Sequence, residues 1–299
     1  MSWAAFAVLS AALNAVVAIF DSHILSHRLP DVKTYYLPLG VFHLTVALVI
    51  LVLNPFPADA QLLPVLAAFG SGILAGGSSL IMLNVVRGGE ISRIIPVINT
   101  SPVFVALISV GLLGETLGYL NWIGIVVTVA GAILISVQRD GKGRNARFQK
   151  SFLALLLTSL LFALSNIVTK YASETLTFWS IYAASAIMVA LAFLLPSARP
   201  TTFRQLAAVP RRWHVLGLTV AGQAIVVVAI LLSVVAIQKG QVALAATAMG
   251  ARPAFVFVYT LVLSRFFPNV LNEKRTASIV VLKVAAIVLI VGGVALLTL

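Results

Sequence analysis

Ten long apolar stretches, separated by short polar connections, run along the whole chain of 299 residues. They lie at about 3–24, 34–53, 62–86, 94–113, 117–137, 151–169, 177–195, 213–237, 242–264 and 277–298. A helix that crosses a bilayer takes about 20 apolar residues. Backbone polar groups in lipid must pair within their own segment, and the unbroken runs do not alternate as barrel strands do. The pattern therefore predicts an all-α polytopic membrane protein with ten transmembrane helices.

The composition excludes several classes of protein. Hydrophobic residues make up 61% of the chain, charged residues only 9%, and the mean hydropathy is +1.10. A soluble domain has roughly 45–50% apolar and about 25% charged residues. So few charges cannot cover a water-soluble surface, which argues against a soluble enzyme, a nucleic-acid-binding protein or a disordered chain. The net charge of +12 is better explained by cationic loops against an anionic membrane face.

The cations are distributed unevenly between the two faces of the predicted bundle. Of the 20 Lys and Arg residues, 16 lie in the odd-numbered connections between spans, whereas the even-numbered connections contain only Lys170 and Lys239. Positively charged loops remain in the cytoplasm. The bias predicts a multi-pass protein of the cell (inner) membrane, with the odd-numbered connections inside and both termini outside.

Several matches at nearly one offset indicate an internal duplication. Pro102-Val103-Phe104 and Pro253-Ala254-Phe255 are 151 positions apart, and Asn14 and Asn166 are 152 apart. A polar, flexible stretch in mid-chain separates the copies. We predict a first five-helix repeat at 1–138, a basic linker at 139–150 and a second five-helix repeat at 151–299. Because five spans return the chain to the opposite side, the repeats are inverted, as in many secondary transporters.

Arg252 is the most informative polar residue, because it lies near the middle of the ninth span. A guanidinium at that depth costs a few kcal/mol and stays charged, so it needs a negative partner, carbonyls or water. Pro253 disrupts the helical turn before it and frees carbonyl groups. Two interpretations follow. Arg252 binds an anionic solute in a central cavity, or it forms a structural ion pair, for example with Asp21 or Glu115.

Other polar residues inside the spans are candidates for binding a solute. Asn14, Asn166 and Gln223 carry amides that seek partners inside the bundle, so solute contact and helix-to-helix hydrogen bonding both stay open. Asn99 and Ser101 form a polar step in span four, where the repeat places the segment around Arg252 in span nine. The hydroxyl of Ser78 can line a path. In the same span, the spacing of Gly72 and Gly76 favours close helix packing.

Signals of catalysis are missing from the sequence. There is no HExxH, GxSxG or Walker-type loop, no cysteine, and no pair of carboxylates placed for acid–base work. The four histidines fall near predicted span ends and form no ligand set. We therefore predict no catalytic residue, no cofactor and no metal site. A membrane-embedded enzyme ranks last among the functional hypotheses.

The chain resembles the EamA-type transporters of the drug/metabolite transporter superfamily. The resemblance is carried by the run Pro102–Leu107, by Gly114-Glu115, and by the glycines Gly124 and Gly131 of the following span. The second copy is similar at Pro253 and at Gly292-Gly293. The resemblance covers the ten-span, two-repeat plan. It implies a cavity lined by spans 1, 3, 4, 6, 8 and 9, with spans 5 and 10 peripheral, and small metabolites as solutes.

Together, these observations predict a secondary transporter, an exporter or exchanger, that moves a small anionic or zwitterionic metabolite by alternating access. The expected substrate-binding residues are Arg252, Asn14, Asn166, Gln223, Asn99, Ser101 and Ser78. The expected partners are a solute with a carboxylate or phosphate and the lipid bilayer, but no nucleic acid, and self-association into a homo-oligomer stays open. The alternative is a non-transporting membrane scaffold or accessory subunit whose charged residues are all structural.

Overall fold

A computed structural model describes residues 2–87, 100–136, 146–266 and 277–298, and every regular element in these ranges is helical. The helices of the first half are α1 Trp3–His27, α2 Val32–Leu53, α3 Leu62–Arg87, α4 Ser101–Ile108 and α5 Tyr119–Ser136. Those of the second half are α6 Ala146–Ala172, α7 Phe178–Ser197, α8 Pro200–Ala207, α9 Arg212–Lys239, α10 Val242–Met249, α11 Arg252–Phe266 and α12 Ala277–Leu296.

The predicted spans coincide with these helices. Within the described ranges, seven segments are long and apolar enough to cross a membrane, and three shorter apolar segments lie at Ser101–Leu113, Tyr119–Leu134 and Val281–Leu296. Each of the ten overlaps one predicted span. The prediction of an all-α polytopic membrane protein is therefore confirmed. The repeat boundaries stay predictions. Linker residues 139–145 lie outside the described ranges, whereas residues 146–150, also assigned to the linker, form the start of α6.

The two halves of the chain are interleaved. The most extensive helix contacts pair α2 with α7, α5 with α12, α1 with α9, and α3 with both α6 and α7. The contact pattern is nearly the same when each span is replaced by its counterpart in the other half. For example, the contact between spans one and eight (α1 and α9) then becomes the contact between spans six and three (α6 and α3). The pair α5 and α12 packs mainly against itself, which agrees with the peripheral position that the resemblance implies.

Close approach of α3 and α7 depends on two glycines. A Cβ added at Gly72 would lie 2.3 Å from the carbonyl oxygen of Ser185, and one added at Gly76 would lie 2.7 Å from the Cβ of Ala192. No side chain fits at these distances. The packing interpretation of this small-xxx-small pair is therefore confirmed.

Two spans depart from the continuous helices that the sequence predicts. The ninth is interrupted at Gly250–Ala251, so that α11 restarts at Arg252 with Pro253 in its first turn. Proline has no backbone N–H and is tolerated there but not in a helix interior. The fourth span ends in a π-helical turn, Ser109–Leu113, followed by Gly114 with a φ of 66°. A Cβ at Gly250 would lie 3.4 Å from Pro102, so the interruption of the ninth span meets the start of α4.

Candidate functional site

Arg252 is the first residue of α11, directly after the interruption of the ninth span. Its side chain is enclosed by protein, yet part of its surface is accessible. Within residues 2–87, 100–136, 146–266 and 277–298, no hydrogen bond is made by its guanidinium, and no carboxylate lies within 4.0 Å of it. The accessible part of this cation leaves its donors available to a visiting group.

Asp21 of α1 is a source of negative charge for Arg252, because the two side chains attract each other electrostatically. The Asp21 carboxylate nevertheless accepts a hydrogen bond from the Tyr35 hydroxyl. It therefore compensates the charge of Arg252 without a direct ion pair. Of the two ion-pair partners that the sequence suggests for Arg252, Asp21 interacts with it electrostatically but forms no ion pair with it in the described structure. Glu115 is wrong, because it caps a different helix end.

A chain of polar side chains continues from Asp21 into the bundle. Gln223 lies close to the Tyr35 side chain, and the Oε1 atom of Gln223 lies 3.1 Å from the Nε2 atom of His43. Gln223 and His43 each lie eleven residues from the start of their helices, which is about 17 Å along the axis. The chain thus links α1, α2 and α9 at membrane depth. Gln223, a predicted binding residue, is engaged in this network.

Sequence reasoning missed Tyr35 and His43. The expectation that all four histidines lie near span ends is wrong for His43, which is buried in the middle of α2. The available signal was the spacing of the two residues. Tyr35 and His43 are eight positions apart and therefore share a helix face, and both are polar within an apolar run. Their partner Gln223 is far away in the sequence, so pattern analysis could not connect them.

The two predicted asparagines differ in how far their amides are satisfied. The Nδ2 atom of Asn14 donates to the carbonyl oxygen of Ser10 at 3.0 Å. Asn14 lies seven positions before Asp21 and hence on the same face of α1. Asn166 in α6 is buried, and its Nδ2 atom has no hydrogen-bond partner in the part of the chain that the structure describes. A buried donor without a partner costs about 1–3 kcal/mol, so Asn166 is suited to receive a ligand or a water.

The two predicted serines have different surroundings. Ser101 is buried at the start of α4, next to Pro102, which packs against Gly250. Ser78 donates its hydroxyl to the carbonyl oxygen of Thr158 at 3.0 Å and so connects α3 to α6. That contact uses its only donor, which makes Ser78 a packing residue in this structure. Asn99 lies outside the described residues.

Charged side chains cap two helix ends at the face of the bundle that carries the termini. The Glu115 carboxylate accepts hydrogen bonds from the backbone N–H groups of Val242 at 2.6 Å and Ala243 at 3.3 Å, at the start of α10. Lys170 donates to the carbonyl oxygens of Ile237 at 2.9 Å and Gly240 at 2.8 Å, at the end of α9. The negative Glu115 carboxylate lies at the positive, N-terminal end of α10, and the positive Lys170 ammonium lies at the negative, C-terminal end of α9, as the helix dipoles favour.

Removing the Glu115 cap is expected to loosen this face. The chain has no cysteine, so a single cysteine at Ala246, which is buried beneath the cap, is a specific probe. We expect Ala246→Cys to resist an impermeant maleimide and to react at least several-fold faster when combined with Glu115→Ala. Loss of a cap costs about 0.5–2 kcal/mol. The matched control is the exposed Glu174→Ala on the same face. Equal labelling of the two combinations would exclude a closing role for Glu115.

Comparison with known proteins agrees with this architecture. A family model described as the EamA-like transporter family matches residues 1–137. A relative from Sinorhizobium sp., named "Uncharacterized transporter in cobO 3'region", is 30% identical over 139 residues, which are 46% of this chain and 97% of the relative. The chain belongs to the EamA-like transporter family. It is accordingly a membrane transporter, as the resemblance of its motifs predicted.

A solved structure supports the fold over nearly the whole chain of this EamA-like transporter. The match is to a chain described as "Crystal structure of protein" and has a TM-score of 0.69. It covers 99% of this chain and 95% of the other, at 17% sequence identity. The similarity therefore extends across both halves, although the family model matches only the first.

Proposed function

We propose that this EamA-like transporter is a secondary transporter that moves a small anionic or zwitterionic metabolite by alternating access. In this mechanism Arg252 binds the anionic group of the solute. The observation that carries the proposal is an enclosed guanidinium with accessible surface and without a hydrogen bond to any described residue. An arginine with a purely structural role would donate hydrogen bonds to the protein, because an unpaired charge inside a membrane is energetically unfavourable.

The interruption of the ninth span supports an anion site at the same point. Helix α11 starts at Arg252, so the positive end of its dipole lies beside the guanidinium. Interrupted helices whose ends point into a central cavity are a recurring way to bind anionic groups in secondary transporters. Asn166, with its unpartnered amide, and Asn14 are neutral hydrogen-bonding residues suited to the rest of the solute.

Asp21 limits the range of solutes. Its carboxylate lies near Arg252 but forms no ion pair with it in the described structure. A solute with both a carboxylate and an ammonium group can pair with both Arg252 and Asp21, whereas a pure anion is repelled by the Asp21 carboxylate.

The sequence contains no ATP-binding motif, so transport depends on a gradient or on exchange. We place the protein in the cell membrane with the cation-rich connections inside, following the loop charges.

Matched solutes test the proposal. Each set contains an α-amino acid, the hydroxy acid that lacks the ammonium group and the amine that lacks the carboxylate. We expect amino or hydroxy acids, but not the amines, to raise the thermal unfolding midpoint of the purified protein, because a ligand of the folded state stabilises it. The same solutes should show counterflow in proteoliposomes. No stabilisation and no counterflow with any set would favour a scaffold instead.

Asp21→Asn separates the two solute classes. For a zwitterionic solute we expect affinity to fall about tenfold, which corresponds to the loss of about 1.4 kcal/mol. Affinity for the matching anion should be unchanged or higher, because a competing negative charge near Arg252 is removed. Binding is measured by the dependence of the unfolding midpoint on solute concentration. Equal weakening of both solutes would mean that Asp21 acts only through the structure of the site.

A further inference from the structure

A basic surface lies at the cation-rich face, around a short helix that the sequence pattern did not predict. Helix α8 connects α7, which ends at Ser197, to α9, which starts at Arg212, and therefore lies at the boundary of the spanning region. Beside it is a cavity of about 500 Å³ that is open to the surface. Its lining comes from the α1–α2 turn and from the end of α8 and the turn that follows: Arg28, Leu29, Pro30, Gln205, Ala208, Val209 and Pro210.

The charge around this cavity is mainly positive, with Asp31 after Pro30 as the acidic residue of the α1–α2 turn. Exposed arginines surround α8 and the turns beside it: Arg28, Arg199, Arg204, Arg211 and Arg212. The sequence contains no Asp or Glu between Glu174 and Glu273. Among the described residues, no carboxylate lies within 4.0 Å of these arginines. Four or more cations next to a short amphipathic helix are typical of surfaces that bind anionic lipid headgroups.

Exposed aromatic residues accompany the arginines. Phe203 on α8 is 54% exposed, and Trp213 at the start of α9 is 74% exposed. The guanidinium of Arg212 lies 5.4 Å from the centre of the Trp213 ring. Thr202, by contrast, is buried, so α8 has one face against the protein and another toward its surroundings. Aromatic rings at this depth favour the headgroup region, where an apolar ring and a polar group are both satisfied.

The backbone at Arg211 is held in an unfavourable conformation. Arg211 has a φ of 52° and a ψ of 39°, in the left-handed region, and precedes α9 without a side-chain cap. This conformation costs a residue other than glycine roughly 1–2 kcal/mol. Strained residues of this kind cluster at binding sites. The strained residue is the first of two consecutive arginines that directly follow Pro210 of the cavity lining.

From the cavity, its arginines and the neighbouring aromatic rings, we propose that this surface binds the phosphate group of an anionic phospholipid. The headgroup occupies the cavity beside Arg28 and Arg211, and the acyl chains run along Phe203 and Trp213. A free phosphate ion would satisfy the arginines but not the exposed rings, which is why the proposal commits to a lipid. The site is separate from Arg252 and independent of the proposed solute.

The main test adds lipid to the delipidated protein in detergent. We expect phosphatidylglycerol to raise the unfolding midpoint by several degrees, and phosphatidylcholine and inorganic phosphate to have little effect. Arg28→Gln combined with Arg211→Gln should abolish the shift. The matched control is Lys239→Gln, which removes an exposed cation from the opposite face. An equal shift with phosphatidylcholine or with phosphate alone, or a full shift in the double variant, would overturn the proposal.

A second measurement needs no change of charge and covers the case in which the double variant does not fold. Brominated lipids quench tryptophan fluorescence at short range, and Trp213 is an exposed tryptophan three residues after Pro210 of the cavity lining. We expect brominated phosphatidylglycerol to quench the parent protein more strongly than brominated phosphatidylcholine does. Trp213→Phe should remove this difference. Equal quenching by the two lipids would contradict a headgroup-selective site.

Discussion

Replacing Arg252 with alanine is expected to abolish solute movement while the protein remains folded. Losing a charged contact away from water costs about 2–5 kcal/mol, and every 1.4 kcal/mol corresponds to about a factor of ten. We therefore expect counterflow in proteoliposomes to fall at least 30-fold. The unfolding midpoint without solute should change little, because no hydrogen bond from Arg252 to another described residue is lost.

The other cation inside a span provides the matched control. Lys283 in α12 is buried, and its ammonium group lies 4.7 Å from the centre of the Phe257 ring. It packs at the α11–α12 interface, so Lys283→Gln should transport at close to the parent rate. Arg252→Ala with normal counterflow would assign the arginine a structural role. In that case Asp21→Asn should stabilise Arg252→Ala, because it removes the carboxylate left without its cation.

Gly72→Ala is expected to have the largest effect on stability. The added Cβ would lie 2.3 Å from the carbonyl oxygen and 2.6 Å from the Cα atom of Ser185, both of which are backbone atoms of α7. Since backbone atoms cannot rotate away, α3 and α7 must separate. Overpacking costs about 1–3 kcal/mol even where side chains can adjust. We expect a markedly lower unfolding midpoint and poor recovery of the folded protein.

Gly77→Ala is the control for this substitution on the same helix. A Cβ at that position would meet only the side chain of Leu161, at the ordinary contact distance of 3.8 Å. Alanine is favoured over glycine in a helix by about 1 kcal/mol. Gly77→Ala should therefore be neutral or slightly stabilising. Similar unfolding midpoints for the two variants would show that the α3–α7 contact can relax.

The spans could be predicted because the bilayer requires each spanning segment, taken by itself, to be apolar and about 20 residues long. Length and hydropathy located every span, and Pro253 indicated the disruption next to Arg252. Helix α8 could not be found in this way, since its eight residues are too short and too polar for a spanning pattern. Its structure depends on packing, with Thr202 buried against the rest of the protein.

The contacts of the site were harder to predict than its residues. Arg252 and Asn166 stood out as polar groups that lipid cannot accommodate. Nothing local indicated that Glu115 would cap a helix 127 residues further along the chain. For Ser78, the residue was noticed but its partner was not predicted. A hydroxyl in a glycine-rich span can line a transport path or bind a neighbouring backbone, and the sequence does not distinguish the two. Here it contacts the backbone at Thr158.

The interleaving of the halves also constrains how the chain is made. The main partners of α1, α2, α3 and α5 all lie in the second half. When the ribosome has delivered only the first five spans to the membrane, their polar and glycine-lined surfaces have no native neighbour. Assembly must wait until synthesis of the later spans, and a chain that stops in mid-sequence leaves a substrate for membrane quality-control proteases.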